Sequence, residues 1–164
     1  MILLLIAFMM INFIACCAYS FTGSSVPEHL RTIAIPVVQD RSGAGISGLR
    51  ELLTQELITQ FIDDNSLQVT ERSQADAVLE CTIVSYTDAP SIVAAGESVE
   101  QRRVTITVQV IYKDLVKRIN VFDKRFSNYG DYKSGTTESL RTEASNTAVN
   151  KIAEDILLAV VSGW

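Results

Sequence analysis

Between residues 103 and 113 the chain alternates, with Val104, Ile106, Val108, Val110 and Tyr112 set between Arg103, Thr105, Thr107, Gln109, Ile111 and Lys113. A two-residue period rich in branched and aromatic side chains predicts a β-strand with one face on a core. Shorter or weaker forms of the same period predict strands over residues 32–37, 67–70, 76–86 and 119–127. Pro36 marks an edge or a strand end, because proline has no N–H for the ladder. Elsewhere the period lengthens. After a turn-rich loop over 39–45, Ile46, Leu49, Leu53, Leu57 and Phe61 recur at three- and four-residue steps. That is one face of an amphipathic helix of about 18 residues, stopping near Asp63, Asp64 and Asn65. Over 137–161, Leu140, Ala144, Ala148, Ile152, Ile156 and Val160 step by four, and Val149, Ala153 and Leu157 widen the stripe. A long helix with small residues at its middle suits close packing on a sheet. The order strand, helix, four strands, helix predicts an α+β two-layer sandwich, with two helices packed on one face of a mainly antiparallel four-to-five-stranded sheet.

The first 15 residues follow neither period: 14 are apolar, none is charged, and Asn12 is the sole polar interruption. The run is too short to span a bilayer, which takes about 20 residues, and suits the hydrophobic region of an export signal. Ala15 directly before Cys16 is the pattern of a lipoprotein signal. Cleavage would fall between them, and the Cys16 thiol would take the lipid. Several acyl chains on one cysteine anchor stably where one would be marginal. Residues 1–15 therefore read as a lipoprotein signal peptide. Residues 16–31, with Gly23, Ser24, Ser25 and Pro27 and no period, read as a lipidated N-terminus and tether, and 32–164 as one domain. Cys17 and Cys81 could form one bridge, but Cys81 lies in an alternating apolar segment and reads as a small buried hydrophobe.

The chain has 164 residues, and without the leader 149 remain, enough for a single core. All 14 basic and 19 acidic residues follow position 15, so the mature part keeps the net charge of −5. A surface of that sign disfavours general nucleic-acid binding, which needs a basic field. Material for catalysis is scarce. The single histidine, His29, lies in the tether and reads as a surface residue. No Cys-x-x-Cys or His-Glu-x-x-His spacing offers a metal site, and residues 42–48 lack the lysine of a phosphate loop. The acidic pairs Asp63-Asp64 and Glu154-Asp155 fall where a solvated helix face or terminus explains them. A non-enzymatic protein without metal or cofactor is expected.

Charge is nevertheless unevenly distributed. Arg102, Arg103, Lys113, Lys117, Arg118, Lys124 and Arg125 face only Asp114 and Asp123 within one predicted hairpin, a local net of +5 that leaves −10 for the remainder. Such asymmetry points to a local anionic ligand, although edge-strand cations also discourage aggregation. The charge pattern nominates Arg102, Arg103, Lys113, Lys117 and Arg118 as ligand-binding candidates. Residues 90–96 are apolar where loop tips are normally polar. Either the strands run on into a long hairpin, or Ile92 and Val93 touch a partner or lipid.

The sequence resembles the LptE family of lipopolysaccharide-assembly outer-membrane lipoproteins, in its Bacteroidetes and Chlorobi form. The likeness rests on order and spacing across nearly the whole mature chain rather than on one motif. It includes Cys16 ahead of Tyr19-Ser20-Phe21, then Thr32-Ile33-Ala34-Ile35-Pro36, Leu53-Thr54 within the helix, and Asp64-Asn65 before Leu67. It continues through Ala75-Asp76-Ala77-Val78-Leu79-Glu80, Ile83 and Tyr86, Tyr112-Lys113-Asp114, and Asp155-Ile156 to Trp164. The resemblance implies a two-helix, four-strand plug inside an LptD-type outer-membrane β-barrel, lipid-anchored on the periplasmic side. The pair would receive lipopolysaccharide and insert it into the outer leaflet. The basic candidates remain a reading of charge alone. The opening strand, loop and helix over 33–61 is also similar to anchored lipoproteins of curli-type secretion channels and to accessory activators of cell-wall synthases.

Overall fold

The structure, a computed structural model, describes residues 26–91, 101–133 and 138–162. Among them, six strands form one sheet and two long helices cover it. The strands are β1 (Thr32–Ala34), β2 (Gln39–Asp40), β3 (Gln68–Val69), β4 (Ala77–Ser91), β5 (Gln101–Asp114) and β6 (Ile119–Lys133). The helices are α1 (Leu49–Asp64) and α2 (Glu138–Ser162). No helix among the described residues is long and apolar enough to cross a membrane.

The α+β sandwich stands, with two differences in the sheet. The strand expected over 32–37 ends at Ala34, ahead of Pro36, and β2 forms at the start of the stretch expected as a turn-rich loop; β1 and β2 pair in parallel with successive parts of β4. The order is β3-β1-β4-β5-β6, with β2 also on β4. The sheet is therefore mixed: β1 also pairs in parallel with β3, because α1 carries the chain back to the starting end, as a parallel crossover requires. Only β4-β5 and β5-β6 are antiparallel, and these hairpins outrun their expected ends. β4 continues through Pro90 and Ser91, so the first of the two readings of that apolar stretch holds as far as residue 91. Ile92 and Val93 lie outside the described residues, as do Ala15, Cys16 and Cys17.

The core lies between the sheet and the helices. Leu79, Cys81 and Ile83 of β4 and Val104, Ile106, Val108, Val110 and Tyr112 of β5 are buried on the helix side. A bulge at Val84 shifts the register between Ile83 and Ser85. It turns Tyr86 rather than Ser85 inward, where the tyrosine hydroxyl meets Ser145 Oγ of α2 at 3.2 Å. α1 buries Leu49, Leu53, Leu57 and Phe61, the predicted stripe. It ends on Asn65, whose left-handed backbone (φ 57°) returns its N–H to the Phe61 carbonyl at 3.1 Å, an αL cap. α2 buries Ala144, Ala148, Val149, Ile152, Ala153, Ile156 and Val160. Its small residues let it lie so close to β6 that a Cβ built on Gly130 would stand 2.1 Å from the Ala144 carbonyl oxygen.

Thr54 ties the break in the first strand to α1. Its hydroxyl donates to the Arg50 carbonyl at 2.7 Å and accepts the Val38 N–H at 3.0 Å. A buried amide left without a ladder partner near Pro36 is thereby satisfied.

Candidate functional site

Arg102 and Arg103 are neighbours in β5 and so point to opposite faces of the sheet. Arg102 shares the helix-side face with Val104. Its Nε donates to Tyr132 Oη at 3.1 Å and to Asp88 Oδ1 at 2.9 Å, its Nη2 donates to the Asp88 carbonyl at 3.1 Å, and Tyr132 donates to Asp88 Oδ2 at 2.7 Å. The charge is closed within a three-residue cluster. Arg103 lies on the open face, where Nε and Nη2 fork onto the two oxygens of Asp131 at 2.7 and 2.9 Å. Its guanidinium sits 3.6 Å from the centroid of the Tyr129 ring. The Arg103 hydrogen bond holds the Asp131 carboxyl below its ordinary range. Arg103 also lines a shallow groove of about 430 Å³ with Ala89, Pro90, Ser91, Gln101 and Thr105, at the end of β4 where the apolar 92–96 stretch begins.

The other three candidates lie at the opposite end. Ten residues of strand separate Arg103 from Lys113, roughly 33 Å at the usual rise. Lys113 Nζ is 2.5 Å from Glu80 Oε2, and Glu80 is also met by Arg72 at 2.9 Å. These contacts, Lys113 first, hold the Glu80 carboxyl below its ordinary range despite partial burial. Lys117 and Arg118 occupy the turn between β5 and β6 and are exposed. The structure thus divides the five residues into two places and pairs three of them with acids outside the 102–125 window. The signal for those pairs was register: Arg103 stands directly opposite Asp131.

Two contacts of the N-terminal segment had no sequence signal. From Val26 onward the residues expected as tether pack on the domain, and Leu30 is buried. His29 is not a free surface residue: its Nε2 lies 2.7 Å from Oδ2 of Asp114, whose side chain is 1% exposed. Asp114 Oδ1 accepts the Lys117 N–H at 2.7 Å. Burial alone would raise the Asp114 pKa, but these hydrogen bonds outweigh it and hold the carboxyl below its ordinary value. Asp76 Oδ2 takes the Arg31 N–H, the Thr32 N–H and the Thr32 hydroxyl at 2.9, 3.0 and 2.9 Å. The Arg31 amide is the main cause of its lowered pKa.

Among the described residues, catalytic groups do not converge. Among the described residues no group of three His, Cys, Asp or Glu could hold a metal ion. Cys81 is buried in the core and desolvation pushes its thiol up to about 12, the opposite of an activated nucleophile. A groove of about 480 Å³ lies where the N-termini of α1 and α2 meet Tyr86, and holds no base–nucleophile pair. The arrangement suits binding and assembly: an open polar sheet face, with cations at both ends.

The comparisons agree with the architecture. The hypothetical protein CT253 from Chlamydia trachomatis superposes with a TM-score of 0.62 at 10% identity, over 82% of this chain and 99% of that one. A minor lipoprotein from Acinetobacter baumannii gives 0.54 at 12% identity, covering 82% and 94%. The rare lipoprotein B from Shewanella oneidensis gives 0.53 at 14% identity, covering 79% and 95%. At such identities the likeness is one of fold. No curated protein matches the sequence. The family model described as LptE, lipopolysaccharide-assembly, matches residues 30–160, which takes in all six described strands and all but the last two residues of α2, and the chain therefore belongs to the LptE family.

Proposed function

We propose that the protein is an outer-membrane lipoprotein that plugs an LptD-type β-barrel and assists lipopolysaccharide transport and insertion. The match of the family model over residues 30–160 carries this reading. The chemistry of the chain supports it. Nothing in the described residues is built for covalent catalysis, and the open face of β4, β5 and β6 presents threonine, glutamine and paired charges, a surface suited to a polar barrel lumen. Cleavage between Ala15 and Cys16 and acylation of Cys16 supply the membrane attachment.

Lipopolysaccharide carries phosphates beside acyl chains. The end of the β4–β5 hairpin offers the matching pair: the exposed Arg103 fork in its groove and the apolar residues that follow Ser91. A surface arginine–carboxylate pair contributes only about 0–1 kcal/mol, so Arg103 can exchange Asp131 for a phosphate, with Arg102 fixing the strand behind it. Lys113, Lys117 and Arg118 stand too far away to join that contact.

Affinity purification through a C-terminal tag tests the assignment. Co-purification of a large outer-membrane β-barrel is expected, and depletion of the protein is expected to remove lipopolysaccharide from the cell surface. A homo-oligomeric ring or a cell-wall synthase in the eluate, with surface lipopolysaccharide intact after depletion, would overturn it in favour of the secretion-channel or synthase-activator reading.

A further inference from the structure

The turn between β5 and β6 combines two features that rarely stand together on a soluble surface. Val116 and Ile119 are 55% and 51% exposed, and between them stand the exposed cations Lys117 and Arg118. Neither cation forms an ion pair with a described acid. The turn is also well fixed. Asp114 accepts the Lys117 N–H, Arg118 takes the left-handed conformation (φ 58°), and Leu115 donates its N–H to the Asp76 carbonyl at 2.8 Å.

The same two acids hold the N-terminal segment. Asp114 binds His29, and the Asp76 side chain binds the Arg31 and Thr32 amides. Tether and turn therefore leave the domain at one corner. Ten residues link Cys16 to Val26, a reach of at most about 36 Å, so acyl chains on Cys16 keep this corner near the bilayer. The exposed charges at this corner are Glu28 against Arg31, Lys117 and Arg118, while the Asp76 and Asp114 carboxylates are turned onto the amides and the histidine that they hold. Asp63 and Asp64, at the end of α1, lie on the β3 side. Four strand spacings, roughly 19 Å, separate that side from β6, about twice the screening length in physiological salt.

We propose that the turn over 116–119 rests on the anionic phospholipid surface that the Cys16 acyl chains enter, as a second point of membrane contact. The proposal rests on the lipid-anchor reading of Cys16. Lys117 and Arg118 meet lipid phosphates, while Val116 and Ile119 enter the boundary between headgroups and acyl chains. An anchor alone leaves the domain free to swivel. A second contact points β4 and β5 away from this leaflet and carries the Arg103 groove to the far end of the hairpin.

The test uses the full lipidated chain in vesicles, with Trp164→Phe removing the native tryptophan and Val116→Trp reporting on the turn. In vesicles of phosphatidylcholine carrying brominated acyl chains mixed with phosphatidylglycerol, the emission of the new tryptophan is expected to shift to the blue and fall at least about twofold. Each basic residue near an anionic surface favours contact roughly five-fold. Lys117→Gln with Arg118→Gln, or the brominated phosphatidylcholine without phosphatidylglycerol, is therefore expected to abolish most of the quenching. Unquenched emission in anionic vesicles, or quenching that survives the double substitution, overturns the proposal. Quenching that needs lipopolysaccharide as the anion overturns the phospholipid assignment. A chain that does not float with the vesicles removes the anchor reading and the proposal together, whereas one that floats with an unquenched tryptophan removes the proposal alone.

Discussion

His29 and Asp114 are 85 residues apart in sequence, yet Nε2 of one lies 2.7 Å from Oδ2 of the other. The contact pins the N-terminal segment to the end of β5 and shelters a carboxylate from water. Replacing His29 by Ala leaves Asp114 with fewer partners than its burial demands, at a cost of roughly 1.5–3 kcal/mol. Thermal melts at neutral pH are expected to fall by several degrees for His29→Ala and by more for Asp114→Ala, which also frees the Lys117 amide.

Acid acts on the same corner. Asp114 and Asp76 are both held below the ordinary aspartate value, Asp114 by His29 and the Lys117 amide against the opposing effect of burial, Asp76 chiefly by the Arg31 amide. A carboxyl with a depressed native pKa contributes stability that is complete above its unfolded value, near pH 4, and is lost as pH falls through the native value. Stability measured by denaturant titration is expected to hold from pH 7 to about pH 5 and to fall below about pH 4. Asp76→Asn is expected to flatten that acid limb, and an unchanged limb would remove Asp76 from the account.

At the far end of the sheet, Gly130 is required by contact rather than by conformation. A Cβ there would stand 2.1 Å from the Ala144 carbonyl oxygen and 2.9 Å from its Cα, and backbone on both sides cannot move as a side chain would. Gly130→Ala is expected to cost roughly 2 kcal/mol or more, read as a lowered midpoint in urea. Gly43→Ala is the control. Gly43 has nothing within 4 Å and a φ of +72°, so the substitution introduces only the left-handed strain, a cost of about 1 kcal/mol.

Cys81 is the single thiol of a chain beginning at Ala18. That chain contains the core cluster of the described residues, which begins at Val26, and is expected to fold without leader or lipid. With its pKa pushed up to about 12 by burial, the native thiol is expected to resist iodoacetamide at pH 8 and to react at once in denaturant. Mass spectrometry of the two samples separates the outcomes, and rapid native labelling would contradict the burial.

What the sequence disclosed, and what it withheld, follows from the range of the interactions. The Leu53, Leu57 and Phe61 stripe and the Val104 to Tyr112 alternation are local periods, and both lie buried as read. Pro36 signalled a strand end but not that β1 and β2 would rejoin the same neighbour, since that depends on Val38 finding Thr54. The cation cluster was a sum of charge along the chain, and such a sum carries no geometry. A strand spreads ten residues over roughly 33 Å, and the acids that answer Arg102, Arg103 and Lys113 come from β4 and β6 through a register no local pattern encodes. His29 gave no sign at all, because its partner stands 85 residues away at the end of β5.

Lipopolysaccharide binding separates the two cationic ends. If Arg103 exchanges Asp131 for a ligand phosphate, removing the competing carboxylate with Asp131→Asn frees the guanidinium. Affinity should then rise by up to about five-fold, the worth of a surface pair. Arg103→Gln removes a charge-assisted contact of roughly 1.5–3 kcal/mol and should weaken binding about ten- to a hundred-fold. Lys113→Gln and the pair Lys117→Gln with Arg118→Gln, at the other end of β5, should leave the titration of the soluble chain unchanged. Fluorescence titration of the Ala18-onward chain with lipopolysaccharide reads all four variants. Equal losses at both ends would return the five cations to one extended site. A loss confined to the turn would move the ligand to the anchored corner, and with it the direction in which the molecule must face the barrel.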